Sequence, residues 1–211
     1  MVKKIFEKLR EFNSAFGVLE EVPHDTIQNA VLRYRLLNEE AKEYDSAVKE
    51  DNKVEILDAL ADMMYIVAGT ILKHGSQKST AFIEQDEEAY EGFLRMLKSL
   101  IPSNNYTEGM EVTILKQNLY GTIKPFNDSY ISSFAAEDYE TMNKMLTQIF
   151  SSIQYAAHAH GLYDVFMDAF EEVHASNMSK LGEDGKPIFR EDGKILKGKN
   201  YFKPNLAQFI K

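Results

Sequence analysis

The 211-residue chain is predicted to fold as an all-α helical bundle with a helical insertion and a Gly/Lys-rich C-terminal turn region. Apolar residues recur at helical spacings of three and four, and strand-like alternation is hard to find anywhere. Only 5 prolines interrupt the chain. The length suits one domain, residues 1–211, and the 44% hydrophobic share is ordinary for a globular protein.

Two helices are predicted before residue 51. The first covers Val2 to Phe16 and ends at Gly17. The second is long and opens at residues 23–25 (Pro-His-Asp), with Asp25 as its N-cap. Leu32 and Leu36 lie on a second side of this helix, so we expect it to be covered on more than one face. Its main buried stripe is predicted to consist of Ile27, Val31, Tyr34, Leu37, Ala41, Tyr44 and Val48.

A third helix is predicted from Lys53 to Lys73, after a break at Asp51-Asn52 and before a stop at His74-Gly75. From Val54 to Leu72 it is apolar almost all the way round, which is typical of a helix inside a bundle. The flanking core helices are expected to be too few to cover it. We therefore predict a homodimer or a higher homo-oligomer.

The second half of the chain is predicted to contain further helices and a turn-rich tail. The segment through Gly121, Pro125 and Asn127-Asp128 is predicted to be a loop. The tail repeats Glu-Asp-Gly-Lys and has four glycines from residue 182 to residue 198, which favours turns and a small hairpin. Helices are predicted at about Ser79–Leu100, Thr107–Tyr120, Ala135–His160 and Leu162–Lys180.

Composition excludes several kinds of site and disfavours some partners. Without cysteine there is no disulfide, thiolate zinc site or cysteine nucleophile, and no phosphate-loop motif is present. A net charge of -9 repels nucleic acid and anionic membranes, so neither is an expected partner. The most apolar stretch, Met63 to Leu72, is about half the ~20 residues of a membrane span. No signal peptide is visible, and we expect a cytoplasmic protein.

Carboxylates on the second and third helices carry the first chemical signal. Asp58 and Asp62 are one turn apart on a helix that has no Lys or Arg between Val54 and Leu72. Burying two like charges is costly unless a positive group neutralises them. Antiparallel packing of the two helices would place Glu40 and Glu43 opposite them, turned to the interior. Four carboxylates facing one space suit a hard divalent cation, with Mg²⁺ the usual one and Mn²⁺ a substitute. A structural charge network is the alternative.

The same residues resemble the all-α NTP pyrophosphohydrolase superfamily, which includes MazG, phosphoribosyl-ATP pyrophosphohydrolase and the dimeric dUTPases. That family carries E-E-x-x-E on one helix and E-x-x-D on the next. Glu39, Glu40 and Glu43 match the first motif. Asp62, followed by Met-Met-Tyr, matches the end of the second.

The second motif has two possible registers. The family's glutamate falls at Ala59, where this chain departs from the pattern. Asp58 precedes it and can reach the same face, so the resemblance assigns the role to Asp58. Glu55 also spells E-x-x-D with Asp58, one turn earlier, and remains an alternative.

Further segments extend the resemblance to MazG-like dUTP-hydrolysing proteins. Leu9–Gly17 is similar to their start, and Arg33 precedes E-E-x-x-E at the usual offset. Residues 173–180 are similar to their V-H-x-x-N-x-S-K segment, and residues 192–197 to their D-G-K-x-L-K tail. The resemblance covers about residues 5–75 and 160–206 and leaves a helical insertion at about 76–160.

The resemblance implies Mg²⁺-dependent hydrolysis of a nucleoside triphosphate, dUTP-like, between the α- and β-phosphates. It assigns the metal to Glu40, Glu43, Asp58 and Asp62. Glu39, together with Glu40, forms the catalytic pair, in which Glu39 orients or deprotonates the attacking water. The substrate contacts that it implies are Arg33, Asn177, Lys180, Lys194 and Lys197.

Two other function classes remain open. One is a non-catalytic helical metal-binding or interaction protein. The other is a di-iron carboxylate bundle, which needs two Glu-x-x-His pairs, whereas only Glu171–His174 is present. His174 is expected on the helix surface or in packing. The remaining histidines are expected at helix caps or on the surface: His24, His74, His158 and His160.

Overall fold

The computed structural model describes residues 1–20, 25–75, 113, 116–191 and 193–210. Within these residues the chain is all-helical, as predicted, and has no strand beyond one isolated bridge. The helix predicted at residues 79–100 lies outside the described residues, as do Pro23, His24 and Asp192. The helices are α1 (Val2–Phe16), α2 (Ile27–Lys49), α3 (Lys53–His74), α4 (Leu119–Ala135), α5 (Tyr139–Ala159), α6 (Tyr163–Met178) and a short 3-10 helix, Leu206–Phe209.

The start of α2 differs from the prediction by one residue. Thr26, not Asp25, is the N-cap, and its Oγ1 accepts the backbone N–H of Asn29 at 3.3 Å. Asp25 instead turns back toward the end of α3, where its Oδ2 lies 3.1 Å from Lys73 Nζ and 3.1 Å from His74 Nε2. The charged partners on α3 therefore draw the aspartate out of the capping position.

Helices α2 and α3 form the predicted antiparallel hairpin. Asp51, with φ 51, makes the reversal, and the Asn52 side chain caps α3 by accepting the N–H of Glu55 at 3.3 Å. About five turns of helix from the break, Arg33 of α2 reaches Thr70 of α3. The tight turn thus sets the register in which the two acidic motifs meet.

The loop predicted through Gly121, Pro125 and residues 127–128 is wrong, because all of these residues lie inside α4. Asn118 is the N-cap, and its side chain accepts the N–H of Gly121 at 2.9 Å. A Cβ on Gly121 would stand 2.4 Å from Asn118 Nδ2, so glycine makes room for the cap rather than ending the helix. Of the helix predicted at 107–120, the described residues Thr113, Lys116 and Gln117 are helical, but the helix is interrupted at Asn118, which caps α4.

The core of the chain is built around α3, which packs against α1, α2, α5 and α6. Its apolar residues from Ile56 to Leu72 are buried within this one chain, except for the partly buried Ile66. The flanking core helices were expected to be too few to cover α3, but a second copy of the chain is not needed for its burial. Helices α4 and α5 of the insertion supply the missing cover, because α4 packs on α2 and α5 packs on α3. No described helix is long and apolar enough to span a membrane.

His74 lies in the core, which contradicts the surface position expected from its place near a helix end. It is 1% exposed, and its Nδ1 lies 3.0 Å from the Tyr130 hydroxyl while Nε2 faces Asp25. Burial, and after it the charge of Arg33, lowers the pKa of His74 to about 4. This neutral imidazole joins the ends of α2 and α3 to α4. Ile27 was predicted to belong to the buried stripe of α2, and this is also wrong, because it is 43% exposed.

The C-terminal tail contains the predicted small hairpin, with an antiparallel bridge between Phe189 and Ile195. Two serines of α6 and its C-cap hold the chain beyond the hairpin: Ser176 Oγ donates to the Phe202 carbonyl at 2.7 Å, and Ser179 Oγ accepts the Phe202 N–H at 3.1 Å. These bonds keep the tail against α6, near the acidic motifs of the α2–α3 hairpin.

Candidate metal and phosphate site

The α2–α3 seam brings the acidic residues of the two motifs into one electrostatic neighbourhood. Burial, followed by repulsion from Asp62 and then from Glu43, raises the pKa of Glu40 to about 8. Burial, followed by repulsion from Asp58, raises the pKa of Asp62 to about 7, and Glu43 adds to it. Asp58 and Asp62 of α3 therefore act on Glu40 across the seam, and Glu43 of α2 acts on Asp58 and Asp62.

The positions of the four residues differ in depth. Asp58, Asp62 and Glu40 are partly buried, whereas Glu43 is exposed. The expectation that Glu43 turns to the interior is therefore wrong, because it lies near the end of α2, where the seam opens to solvent. It still raises the pKa of each of the other three carboxyls, which puts it at the mouth of the same site.

Asp58 and Glu55 of the third helix differ in burial and in their electrostatic effect on the other carboxyls. Asp58 is half-buried, and burial, then repulsion from Glu55, raises its pKa. Glu55 is exposed and lies 4.0 Å from Lys203, on the outer side of α3. Asp58 contributes to the raised pKa of Asp62 and of Glu40, and Glu55 is not among those contributors. The geometry thus favours Asp58 over Glu55.

The residues present fit a divalent cation by their chemistry. They offer oxygen donors only, the donor type that Mg²⁺ prefers. Oδ1 of Asp58 is buried and has no hydrogen-bond partner among the described residues. In the described part of the chain, however, no three acidic or histidine side chains are gathered closely enough to hold one ion. The carboxylates share a site but stand apart, as expected of like charges that repel.

Lysines from the tail approach the same carboxylates from the other side. The pKa values of Asp62 and Asp58 are raised overall, but lysine charges oppose the rise. Lys180 and Lys197 act in this way on Asp62, and Lys203 and Lys197 act on Asp58. Lys180 Nζ donates to Asn177 Oδ1 at 2.5 Å, and burial lowers the pKa of this lysine. Between Val54 and Leu72 the third helix has no Lys or Arg, as noted from sequence, but the tail supplies these cations.

The predicted substrate contacts are only partly brought together. Asn177, Lys180 and Lys197 lie at the acidic site, and Lys194 is near enough to lower the pKa of Lys180. Lys197 also stacks over the Tyr201 ring, 4.4 Å from its centroid. This arrangement gathers positive charge beside the four carboxylates.

Arg33 lies apart from this group. Its Nη1 donates to Thr70 Oγ1 at 3.3 Å, seven residues and about 10 Å of helix axis from Glu40. Burial lowers its pKa, and the partners that oppose this shift are Tyr130 and Asp25 rather than the acidic motifs. Arg33 therefore marks the far end of the same seam.

Two further residues complete the comparison with the sequence. Glu39 is exposed and adds to the raised pKa of Glu40, so it lies beside the site rather than in it. Lys203 was not among the residues predicted from the sequence, although it lowers the pKa of Asp58. It comes to the site because the α6 serines hold the backbone of Phe202.

The di-iron alternative receives no support from His174. This residue is buried, as the packing expectation allowed, and its ring nitrogens face Tyr65 and Glu11. Glu171, its motif partner, forms an ion pair with Lys4 instead. The Glu-x-x-His sequence is therefore used for packing and pairing between helices.

Comparison with known proteins agrees with this geometry. The family model of phosphoribosyl-ATP pyrophosphohydrolase matches residues 9–85, which include both acidic motifs. The resemblance to the all-α NTP pyrophosphohydrolase superfamily is confirmed. The chain is also 25% identical, over 189 residues, to an uncharacterised protein of Acanthamoeba polyphaga mimivirus, covering 83% of this chain and 70% of that protein. No solved structure matches. The family match supports a nucleotide pyrophosphohydrolase in general terms.

Proposed function

We propose that the protein catalyses Mg²⁺-dependent hydrolysis of a (deoxy)nucleoside triphosphate of the dUTP type between the α- and β-phosphates. The products are the nucleoside monophosphate and pyrophosphate. The observation that carries the proposal is the position of Asp62, which has Glu40 across the seam and Lys180 beside it. Such a site can hold a cation and a polyphosphate together, and the phosphoribosyl-ATP pyrophosphohydrolase match covers its acidic half.

The carboxylates are the proposed metal ligands. Glu40, Glu43, Asp58 and Asp62 would hold Mg²⁺, or Mn²⁺ in its place, and the unpartnered Oδ1 of Asp58 is the donor most in need of a cation. A bound divalent ion would neutralise charge on the phosphate oxygens as the transition state forms. Without a cation, repulsion keeps the carboxylates apart and holds protons on the most buried of them.

The lysines are the proposed phosphate contacts. Lys180, Lys194 and Lys197 provide ammonium groups for the phosphate oxygens, and Asn177 holds Lys180 in place through its side-chain oxygen. A compact ammonium group pairs well with phosphate as a point charge. Arg33, farther along the seam, is assigned to the part of the nucleotide beyond the phosphates.

The attacking water is assigned to Glu39, with Glu40 as its catalytic neighbour. Glu39 is exposed and lies outside the group of ligands, so its carboxylate is free to accept a proton from water. The water oxygen bonds to the α-phosphorus while the bond from that phosphorus to the oxygen that bridges the α- and β-phosphates breaks. That oxygen leaves with pyrophosphate, and the monophosphate keeps the base.

The test is a panel of nucleoside triphosphates with Mg²⁺, assayed for pyrophosphate and orthophosphate separately. We expect pyrophosphate, with dUTP among the substrates that react, and little or no orthophosphate. Glu43→Gln, at the exposed mouth of the site, keeps the fold and should lower turnover strongly. Orthophosphate as the only product, or full turnover by Glu43→Gln, would contradict the proposal.

We also propose a homodimer or a higher homo-oligomer in the cytoplasm, with no nucleic-acid or membrane partner. The family resemblance supports the dimer, since the burial of α3 within one chain does not require it. Light scattering at micromolar concentration should give at least twice the 24.2 kDa chain mass. A monomer would contradict this part of the proposal.

A further inference from the structure

A buried polar chain links three helices one turn away from the candidate site. His174 Nδ1 of α6 lies 3.1 Å from the Tyr65 hydroxyl of α3, and its Nε2 lies 3.3 Å from Glu11 Oε2 of α1. Glu11 is in turn bonded by Lys8 Nζ at 2.9 Å. Tyr65 and His174 are 8% and 4% exposed, whereas the Glu11 side chain is 53% exposed. The network formed by Glu11, His174 and Tyr65 therefore runs from the surface into the core.

The direction of the protons along this chain follows from its ends. A carboxylate accepts hydrogen bonds only, so the imidazole nitrogen facing Glu11 carries the hydrogen. The opposite nitrogen of His174 then has a lone pair and accepts the hydroxyl proton of Tyr65. Burial lowers the pKa of His174 and raises that of Tyr65, which keeps both side chains neutral. The contact with Glu11 is electrostatic rather than a well-aligned hydrogen bond, since His174 Nε2 makes no hydrogen bond among the described residues.

The Glu11–His174–Tyr65 network adjoins the candidate site on two helices, α3 and α6. Tyr65 follows Asp62 by three residues on α3, and the charge of Asp62 contributes to the raised pKa of Tyr65. His174 precedes Asn177 by three residues on α6, and Lys180 follows at the end of the helix. Residues three apart share a helix face. The Tyr65–His174 contact thus lies next to the region in which the charge of Lys180 acts on Asp62.

We propose that His174 is a positioning residue, which acts through Tyr65 to hold the phosphate-contacting end of α6 in register with Asp62. This inference rests on the proposed function. Phe12 and Phe170 pack on the Tyr65 ring, with centroids at 5.3 and 5.5 Å from its own. This packing holds the ring in position even without the hydroxyl group. The hydroxyl adds the one directional bond of this ring to α6. Its loss lets α6 slide relative to α3, which separates Lys180 from Asp62 while leaving the α2–α3 carboxylates in place.

The chain offers a matched control for this bond. Tyr130 and His74 form another buried tyrosine–histidine pair, at 3.0 Å, at the opposite end of α3 from the acidic motifs. Tyr130→Phe therefore removes the same kind of hydrogen bond without touching α6. Tyr65→Phe and Tyr130→Phe should lower the free energy of unfolding by similar amounts. Only Tyr65→Phe should change the affinity for phosphate groups.

The experiment compares the wild type with both variants by calorimetric titration of inorganic pyrophosphate in the presence of Mg²⁺. We expect the dissociation constant to rise about tenfold in Tyr65→Phe, since small misplacements of binding groups have effects of this size or larger. It should stay within twofold of the wild type in Tyr130→Phe. Glu11→Gln, an exposed change that preserves the fold, should give a smaller rise than Tyr65→Phe.

Kinetics separate positioning from a merely structural role. In Tyr65→Phe, KM for the nucleotide should rise about tenfold, while the dissociation constant of Mn²⁺ stays unchanged because the carboxylates lie on α2 and α3. An unchanged pyrophosphate affinity in Tyr65→Phe, or an equal loss in Tyr130→Phe, would overturn the inference. Failure of the wild type to bind pyrophosphate would instead count against the proposed function.

Discussion

Asp62→Asn should stabilise the metal-free protein. The pKa of the Asp62 carboxyl rises from 3.8 to about 7 on folding, first because it is buried and then because Asp58 repels it. A raised carboxyl pKa makes the folded state less stable as pH rises from about 4, and the loss is complete above about 7. At 1.36 kcal/mol per pKa unit, the loss at pH 8 is on the order of 4 kcal/mol. The asparagine removes this charge at nearly the same volume.

The assay is urea unfolding in EDTA at pH 4 and at pH 8. We expect wild type and Asp62→Asn to be similar at pH 4, and the variant to be more stable at pH 8 by a few kcal/mol. Glu50→Gln, an exposed change of the same charge at the end of α2, should alter stability little at either pH. Mg²⁺ at 100 times its dissociation constant should stabilise the wild type by about 2.7 kcal/mol, and the variant much less. A variant less stable than the wild type at pH 8 in EDTA would refute the reasoning.

Three further predictions concern the lysine group, the buried histidine and a helix cap. Lys180→Met keeps the apolar stem but loses the ammonium group beside Asp62, so kcat/KM should fall about 10- to 100-fold in steady-state assays, and an unchanged value would exclude a phosphate contact. His74 has its pKa lowered from 6.5 to about 4, so stability should decrease as pH falls through that window, by about 3 kcal/mol at pH 4. His74→Gln should flatten this slope in urea unfolding, and the same slope in both proteins would contradict the assignment. Asn118→Ala should lower the free energy of unfolding by about 1 kcal/mol through loss of the α4 cap, without changing kcat/KM.

Much of the helical frame could be predicted from the sequence because its signals are local. The α1 stop at Gly17 and the break at Asp51-Asn52 rest on backbone preferences of those residues, and both are confirmed. The same local rules failed at Gly121 and Pro125, where tertiary packing and the Asn118 cap keep the helix intact. Local preference is a weak guide where a neighbouring side chain determines the use of a glycine.

The acidic half of the candidate site could also be predicted, because one short turn sets the register of α2 against α3. The basic half depends on contacts between residues far apart in sequence. Lys203 reaches Asp58 only because Ser176 and Ser179 bind the backbone of Phe202, and no periodicity signals that contact. The resemblance named the lysines of the tail, but it gave no distance between them and the carboxylates.

Burial was the least predictable property. His74 lies next to a helix end, yet the contacts with Asp25 and Tyr130 draw it into the core. The cover of α3 was also misjudged, because α4 and α5 belong to the insertion and were not expected to complete the bundle. A segment without a family counterpart can still supply the core of the fold.

The central claim is that carboxylates of α2 and α3 bind divalent ions in one site. Titration of the metal-free protein with Mn²⁺, followed by electron paramagnetic resonance of the free ion, tests it directly. We predict saturable binding at micromolar to millimolar Mn²⁺, competition by Mg²⁺, and loss of binding in both Asp62→Asn and Glu40→Gln. Binding that survives both substitutions, or no binding by the wild type, would contradict the account.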